Sequence, residues 1–138
     1  MQAQTELQAW TPEFDQFPIL TTFFQQVAKR GLKIDTFPRQ NGLEVHFLNQ
    51  VNGMPNRARL RIFFATATKC VLFFYKKSSI PFSRDRFSYG SIVIDARSTA
   101  RFEESSVEQW IQFLLSGFQP KLRPNSLKKG LPYTVPED

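Results

Sequence analysis

The segment from residue 57 to residue 64 alternates basic and apolar side chains, which is the pattern of a β-strand whose two faces differ. Arg57, Arg59 and Arg61 would lie on one face of a sheet, and the apolar residues between them on the other. Three guanidinium groups in a row repel one another unless solvent or an anion lies above them. Because phosphate matches the fork of donors on arginine, we expect this face to bind polyanions.

The chain has 138 residues and a formal net charge of +6, and the positive charge is concentrated in its middle. Residues 57–101 contain ten lysines or arginines against Asp85 and Asp95, whereas the first 28 residues contain three acidic residues and no basic one. Such a distribution favours nucleic acid, an acidic membrane surface or an acidic protein as the partner. The length predicts one domain that buries a core without disulfides or metals.

Cys70 is the only cysteine, and it lies among apolar residues, so we expect it to be buried as a small hydrophobic side chain. No disulfide can form within the chain, as is usual in a reducing compartment. The N-terminal residues lack a basic start followed by an apolar run, and no window approaches the ~18 apolar residues of a membrane span. These features predict a cytoplasmic protein.

Hydrophobic periodicity predicts two helices that flank a run of strands. Short turns between the strands, such as the one at Asn41-Gly42, favour antiparallel pairing. The predicted fold is therefore α+β, with an antiparallel sheet of about five strands in the order α-β-β-β-β-β-α. Each helix carries one apolar stripe, so we expect both helices on one face of the sheet. The predicted helices span 18–30 and 105–118, and the predicted strands span 32–37, 43–47, 57–64, 69–77 and 91–97.

Residues 1–118 are predicted to form a single α+β domain, and residues 119–138 a proline-rich basic C-terminal tail. Within the domain, residues 49–56 and 78–90 are predicted loops. The second loop interleaves basic and aromatic side chains, which would neutralise phosphates and stack on unpaired bases. The alternative is that its aromatic side chains pin the loop to the core.

The sequence offers few side chains for catalysis. One histidine and one cysteine cannot supply a structural zinc site, and neither a nucleophile elbow nor a phosphate-binding loop occurs. His46 is interpreted as a hydrogen-bonded residue of a strand rather than as a catalytic base. Asp85, Asp95 and Glu103 would be the acids of a metal-dependent nuclease, but their spacing does not require that they converge. We therefore assign no catalytic residue, no metal ligand and no cofactor.

The strand of arginines belongs to a longer stretch, from Gly42 to Pro81, that resembles the sheet of RelE/HigB-type toxins. The residues that carry the resemblance are the arginine strand, the apolar strand after it, and the segment Lys76-Lys77-Ser78-Ser79-Ile80-Pro81. The resemblance implies ribosome-dependent cleavage of mRNA by basic side chains and a tyrosine. The chain departs from that pattern in its single helix before the sheet and its further strand and helix after Pro81. The implied substrate-binding or catalytic residues are Arg61, Lys76, Lys77 and Arg86, with Tyr75 or Tyr89 as the tyrosine.

A second resemblance involves the last predicted strand and the helix after it. Residues 92–97 followed by residues 106–110 are similar to the strand-then-helix end of coactivators of the positive-cofactor-four type. Members of that family bind single-stranded DNA as dimers on a basic sheet. Neither resemblance identifies the protein.

Together these observations predict a non-enzymatic nucleic-acid-binding domain that favours single-stranded DNA or RNA. One alternative is a protein-interaction subunit of a larger assembly, bound through the tail or through some of the 15 phenylalanines. The other is a metal-independent RNA-cleaving toxin of the RelE/HigB type, and self-association to a homo-oligomer also stays open. The predicted nucleic-acid-binding residues are Arg57, Arg59, Arg61, Lys76, Lys77, Phe82, Arg84, Arg86, Phe87, Tyr89, Lys128 and Lys129.

Overall fold

The computed structural model of the protein describes residues 15–96, 104–127 and 135–136. An N-terminal and a C-terminal helix flank a five-stranded antiparallel sheet, which confirms the predicted α+β fold. The helices are α1 (Pro18–Lys29) and α2 (Glu104–Leu115), and a short 3-10 helix (Pro120–Leu122) follows. The strands are β1 (Ile34–Arg39), β2 (Gly42–Phe47), β3 (Gln50–Val51), β4 (Met54–Pro55), β5 (Ala58–Thr66), β6 (Lys69–Lys77) and β7 (Arg86–Asp95).

Helix α1 begins and ends at residues suited to those positions. Pro18 is the first helical residue, where the N–H that proline lacks would have no partner inside the helix. The buried residues of α1 recur three and four positions apart, so they form one apolar stripe. After the helix, Gly31 adopts a φ of +65°, and the Leu32 N–H donates to the Val27 carbonyl at 3.1 Å. This left-handed glycine ends α1 and turns the chain toward β1.

The main sheet has the strand order β1-β2-β5-β6-β7, and every neighbouring pair is antiparallel. Strand β6 pairs with β5 on one side and with β7 on the other, and its residues from Cys70 to Tyr75 are all buried. A continuous apolar run is expected for such a strand, because both of its faces are covered. Cys70 itself is fully buried, as the sequence predicted.

Three connections differ in detail from the sequence prediction. The turn between β1 and β2 is the two-residue loop 40–41, since Arg39 pairs with Gly42. The predicted loop 49–56 contains a second small sheet made of β3 and β4. The predicted loop 78–90 is wrong over its last residues, because β7 begins at Arg86. Strand β7 has a bulge at Tyr89, which lies opposite the step from Phe74 to Tyr75 of β6 and has no partner in the register.

The two helices pack on the same face of the sheet, as predicted. One core cluster joins the buried stripes of α1 and α2 to apolar residues of β2, β5, β6 and β7. Leu60 and Phe74, which are opposite each other in register, belong to this cluster together with Trp110 of α2. The alternate positions of the strands point to the opposite side, which we call the arginine face because Arg59 and Arg61 lie on it.

The chain continues to pack against the core after residue 118, although the sequence predicts that the C-terminal tail begins at residue 119. Leu127 is buried in the core cluster, and the indole nitrogen of Trp110 lies 3.4 Å from the Ser126 hydroxyl. Residues 128–134 lie outside the described residues. In the described ranges, no helix is long and apolar enough to cross a membrane.

We predict that Gly42→Ala destabilises the fold strongly, because a Cβ at this position would overlap the carbonyl oxygen of Ile62 on β5. The expected loss in the free energy of unfolding is about 2–3 kcal/mol. Gly53→Ala is the matched control, since a Cβ there would meet no atom within 4 Å and the cost is confined to a φ of +77°. That cost is about 1 kcal/mol. Urea unfolding measures both variants, and equal losses would contradict this account of β2 and β5.

Candidate nucleic-acid interface

Three basic side chains form a row across the arginine face, at the end of the sheet next to the β6–β7 loop. Arg86 is directly opposite Lys77 in register. Arg57 precedes β5 by one residue and continues its pairing with β6, since the Lys77 N–H donates to the Arg57 carbonyl at 3.3 Å. Lys77 and Arg86 are exposed, and Arg57 is half-exposed. We call Arg57, Lys77 and Arg86 the outer basic row.

The outer basic row has an excess of positive charge. In the part of the chain that the structure describes, no carboxylate forms an ion pair with any of its three members. Like charges that are directly opposite each other on neighbouring strands destabilise a sheet. An anion placed over the row would relieve this repulsion and would meet several donors at once.

The inner end of the predicted arginine row is not open to a ligand. Arg61 is only 1% exposed, and its Nη2 donates to the Gln40 carbonyl at 2.6 Å. Arg59 is half-buried, and its Nη1 donates to the carbonyls of Asn56 at 2.9 Å and of Ala58 at 3.1 Å. Burial lowers the pKa of Arg59. The inner two guanidiniums are therefore engaged within the fold.

A buried carboxylate lies beside these inner arginines. Glu44 of β2 is 9% exposed and is opposite Arg61 in register. Its Oε2 accepts a hydrogen bond from His46 Nε2 at 2.5 Å, and its Oε1 accepts one from the Tyr75 hydroxyl. Nη2 of Arg39 lies 3.6 Å from Oε2. We call Glu44, His46, Tyr75 and Arg39 the Glu44 cluster.

The Glu44 cluster keeps its carboxylate ionised. Burial alone would raise the pKa of Glu44, but the hydrogen bonds from His46 and Tyr75, together with the nearby charges of His46 and Arg39, lower it from 4.5 to about 2. Burial and the hydrogen bond to Glu44 also raise the pKa of Tyr75. The cluster therefore supplies a stable negative charge beside the buried arginines. His46 is a hydrogen-bonded strand residue, as predicted.

Tyr75 connects the Glu44 cluster to the outer basic row. The ring of Tyr75 is 3% exposed, and Arg59 is opposite it in register. The guanidinium carbon of Arg86 lies 5.5 Å from the centre of that ring. A cation above an aromatic face at an exposed site gains about 0.5–1 kcal/mol. The stack holds Arg86 against the sheet and restricts the directions in which its donors can point.

The loop between β6 and β7 carries two predicted binding residues beside the outer basic row. Phe82 is fully exposed and has a φ of +66°, a conformation that a bulky side chain rarely adopts. Arg84 is also exposed. The Ser78 N–H donates to the Asp85 carbonyl at 3.1 Å and closes the base of the loop. An exposed ring is available for stacking, which excludes the alternative in which Phe82 pins the loop to the core.

Two predicted binding residues lie on the other side of the sheet. Lys76 points to the helix-bearing face, and its Nζ donates to the Gly117 carbonyl at 3.4 Å. This position, just after the C-terminal end of α2, favours a cation through the helix dipole. Phe87 is opposite Lys76 in register and is 54% exposed. The structure therefore separates Lys76 and Phe87 from the outer basic row by the thickness of the sheet.

Tyr89 is part of the core rather than of the interface. Its ring centre lies 4.6 Å from that of Phe118, and the side chain is half-buried. For Tyr89, the alternative that aromatic side chains pin the segment 78–90 to the core is therefore correct. Lys128 and Lys129, which were also predicted to contact nucleic acid, lie outside the described residues.

Glu44 was not among the predicted site residues, and the structural role of Tyr75 was not predicted. Glu44 alternates with the apolar Leu43 and Val45, so its place on the same face as His46 is readable from the sequence. Its position opposite Arg61 is not readable, because that depends on the register between β2 and β5.

In the described residues, no group of three or more histidine, cysteine, aspartate or glutamate side chains could hold a metal ion. Glu103, one of the acids considered for a metal-dependent nuclease, lies outside them. Among known proteins, the chain matches no family, no curated protein and no solved structure. These comparisons lend no support to the two sequence resemblances.

We predict that the fold loses stability as the pH falls from about 5 to about 2, because the unfolded chain protonates Glu44 near its ordinary pKa and the folded chain protonates it near 2. The contribution of Glu44 is complete above that window and amounts to about 3 kcal/mol. Glu44→Gln should flatten the dependence and reduce stability at neutral pH. Urea unfolding across this pH range measures both effects, with Asp85→Asn, an exposed position in the β6–β7 loop, as the control. An unchanged slope in Glu44→Gln would contradict the role of the cluster.

Proposed function

We propose that this protein is a non-enzymatic nucleic-acid-binding domain that favours single strands. The observation that carries the proposal is the outer basic row, in which three cations on adjacent strands lack a carboxylate partner among the described residues. Adjacent strands are about 5 Å apart, so the row spans about 10 Å. One short stretch of a phosphate backbone would therefore contact more than one member.

The preference for single strands is supported by Phe82. Bases in a double helix hide their faces by stacking on one another, whereas unpaired bases can stack on a protein side chain. Phe82 presents an entirely exposed ring on the loop next to the outer basic row, and Arg84 follows two residues later. Rings and cations in this arrangement bind single strands without requiring a particular sequence.

A protein-interaction role is the second candidate, because Ile80 and Phe82 expose two large apolar side chains on the same loop. A partner of this kind would bury both side chains and would not require the outer basic row. Cleavage of RNA is less well supported, since Arg61, which the toxin resemblance assigns to the substrate, is buried. The cytoplasmic location remains part of the proposal.

We predict that single-stranded oligonucleotides bind more weakly as salt rises from about 50 to about 200 mM, since each neutralised phosphate releases counterions. Lys77→Gln should weaken binding and reduce the slope of log affinity against log salt by about 0.7. Lys69→Gln is the matched control, because Lys69 is exposed at the other end of the same strand. Fluorescence anisotropy with single- and double-stranded DNA and RNA measures these values. Equal effects of the two substitutions, or no binding at low salt, would refute the proposal.

We predict that Phe82→Ala lowers the affinity for single strands at least fivefold and leaves the salt slope unchanged, because stacking on a base contributes about 1–3 kcal/mol without involving a charge. Met54→Ala removes an exposed apolar side chain from the small β3–β4 sheet and serves as the control. Loss of affinity in Phe82→Ala without any change in Met54→Ala supports stacking. If Phe82→Ala binds as the wild type does, the ring has another partner, as the protein-interaction role requires.

A further inference from the structure

The C-terminal segment of the chain contacts the outer basic row. Nη1 of Arg86 donates to the carbonyl oxygen of Pro136 at 2.7 Å, across 50 residues of sequence. Val135 and Pro136 are half-buried. Because the same guanidinium stacks on Tyr75, the carbonyl meets a donor that is already held in place. Nη1 of Arg86 therefore donates to this carbonyl rather than to a phosphate oxygen.

The sequence around this contact complements the charge of the row. Glu137 and Asp138 directly follow Pro136, and they are the only acidic residues after residue 118. Carboxylates beside a carbonyl that is bound to Arg86 would interact favourably with neighbouring cations. Proline fixes the φ of Pro136, which lowers the entropic cost of holding its carbonyl against Arg86.

We propose that the C-terminal segment, which contacts Arg86 through Pro136, is an internal competitor for the outer basic row. The inference rests on the proposed function, because it assumes that the row also binds nucleic acid. Exposed ion pairs are individually weak, so the segment raises the threshold for binding rather than abolishing it. A single-stranded nucleic acid with several phosphates displaces the segment, whereas a ligand with a single charged group does not.

Docking of the segment can be measured without nucleic acid. A nitroxide attached to Thr134→Cys should broaden the NMR amide resonances of Lys77 and Arg86. It should not broaden that of Lys69, which lies about 25 Å away at the other end of β6. The label reacts selectively, because Cys70 is buried and burial raises the pKa of its thiol. If the amide resonances of Lys77 and Arg86 remain sharp in the labelled protein without nucleic acid, the proposal is overturned.

Competition is measured by adding a single-stranded DNA oligonucleotide to the labelled protein. The broadening at Lys77 and Arg86 should disappear as the oligonucleotide binds, while anisotropy reports binding independently. If the broadening persists in the protein that is bound to the oligonucleotide, the proposed competition is overturned, although the segment still docks. If no oligonucleotide binds, the proposed function fails too, even though broadening in the free protein would still demonstrate docking. The two failures are thus distinguishable.

The charge of the segment provides a second test. Neutralising it with Glu137→Gln and Asp138→Asn should raise the affinity for single strands about two- to fivefold, in line with weak exposed ion pairs. This gain in affinity should be smaller when it is measured in the Arg86→Gln variant. It should persist in the Lys69→Gln variant, in which the contact between Arg86 and Pro136 is intact. Equal gains in both backgrounds would indicate a general effect of net charge and would overturn the proposal.

Discussion

Glu44 balances the charge of the arginine face. Its carboxylate is buried on β2, opposite Arg61, and accepts hydrogen bonds from His46 and Tyr75. A buried cation without a counter-charge is costly, and removing one partner of a buried charged network leaves the other uncompensated. The arginine strand can therefore lie in the interior of this sheet because a neighbouring strand brings an ionised carboxylate to the same face. Burial lowers the pKa of Arg59, and the charge of Glu44 opposes that shift.

A single buried carboxylate divides the arginine face into two parts. At the inner end, Arg59 and Arg61 are engaged by backbone carbonyls and lie beside Glu44, so their charges contribute to the fold. At the end near the β6–β7 loop, Lys77 and Arg86 of the outer basic row are exposed and Arg57 is half-exposed, and Arg86 contacts Pro136. The arginines that are engaged within the fold and the basic side chains that are open to solvent are therefore separated along the same strands. Tyr75 lies at the boundary, because it donates to Glu44 and carries Arg86 on its ring.

The features that sequence analysis predicted correctly are those that depend on near neighbours in the chain. The alternation in residues 57–64 assigned two faces to β5, and the apolar run around Cys70 identified β6. The features that it missed depend on the register between strands. Arg61 donates to the Gln40 carbonyl and is opposite Glu44 in register, and these two residues come from another strand and its turn. The start of β7 at Arg86 was hidden because a bulge interrupts its pairing and polar residues precede its apolar half.

If the proposed function is correct, nucleic acid binds at the end of the arginine face near the β6–β7 loop, while the end around Glu44 maintains the fold. Mapping of NMR amide shifts on titration with a single-stranded oligonucleotide tests this claim most directly. The account predicts saturable shifts at Arg57, Lys77, Phe82 and Arg86, with much smaller shifts at Lys69 and along α1. Shifts concentrated at Lys69 or on the helices, or none at saturating oligonucleotide, would contradict it.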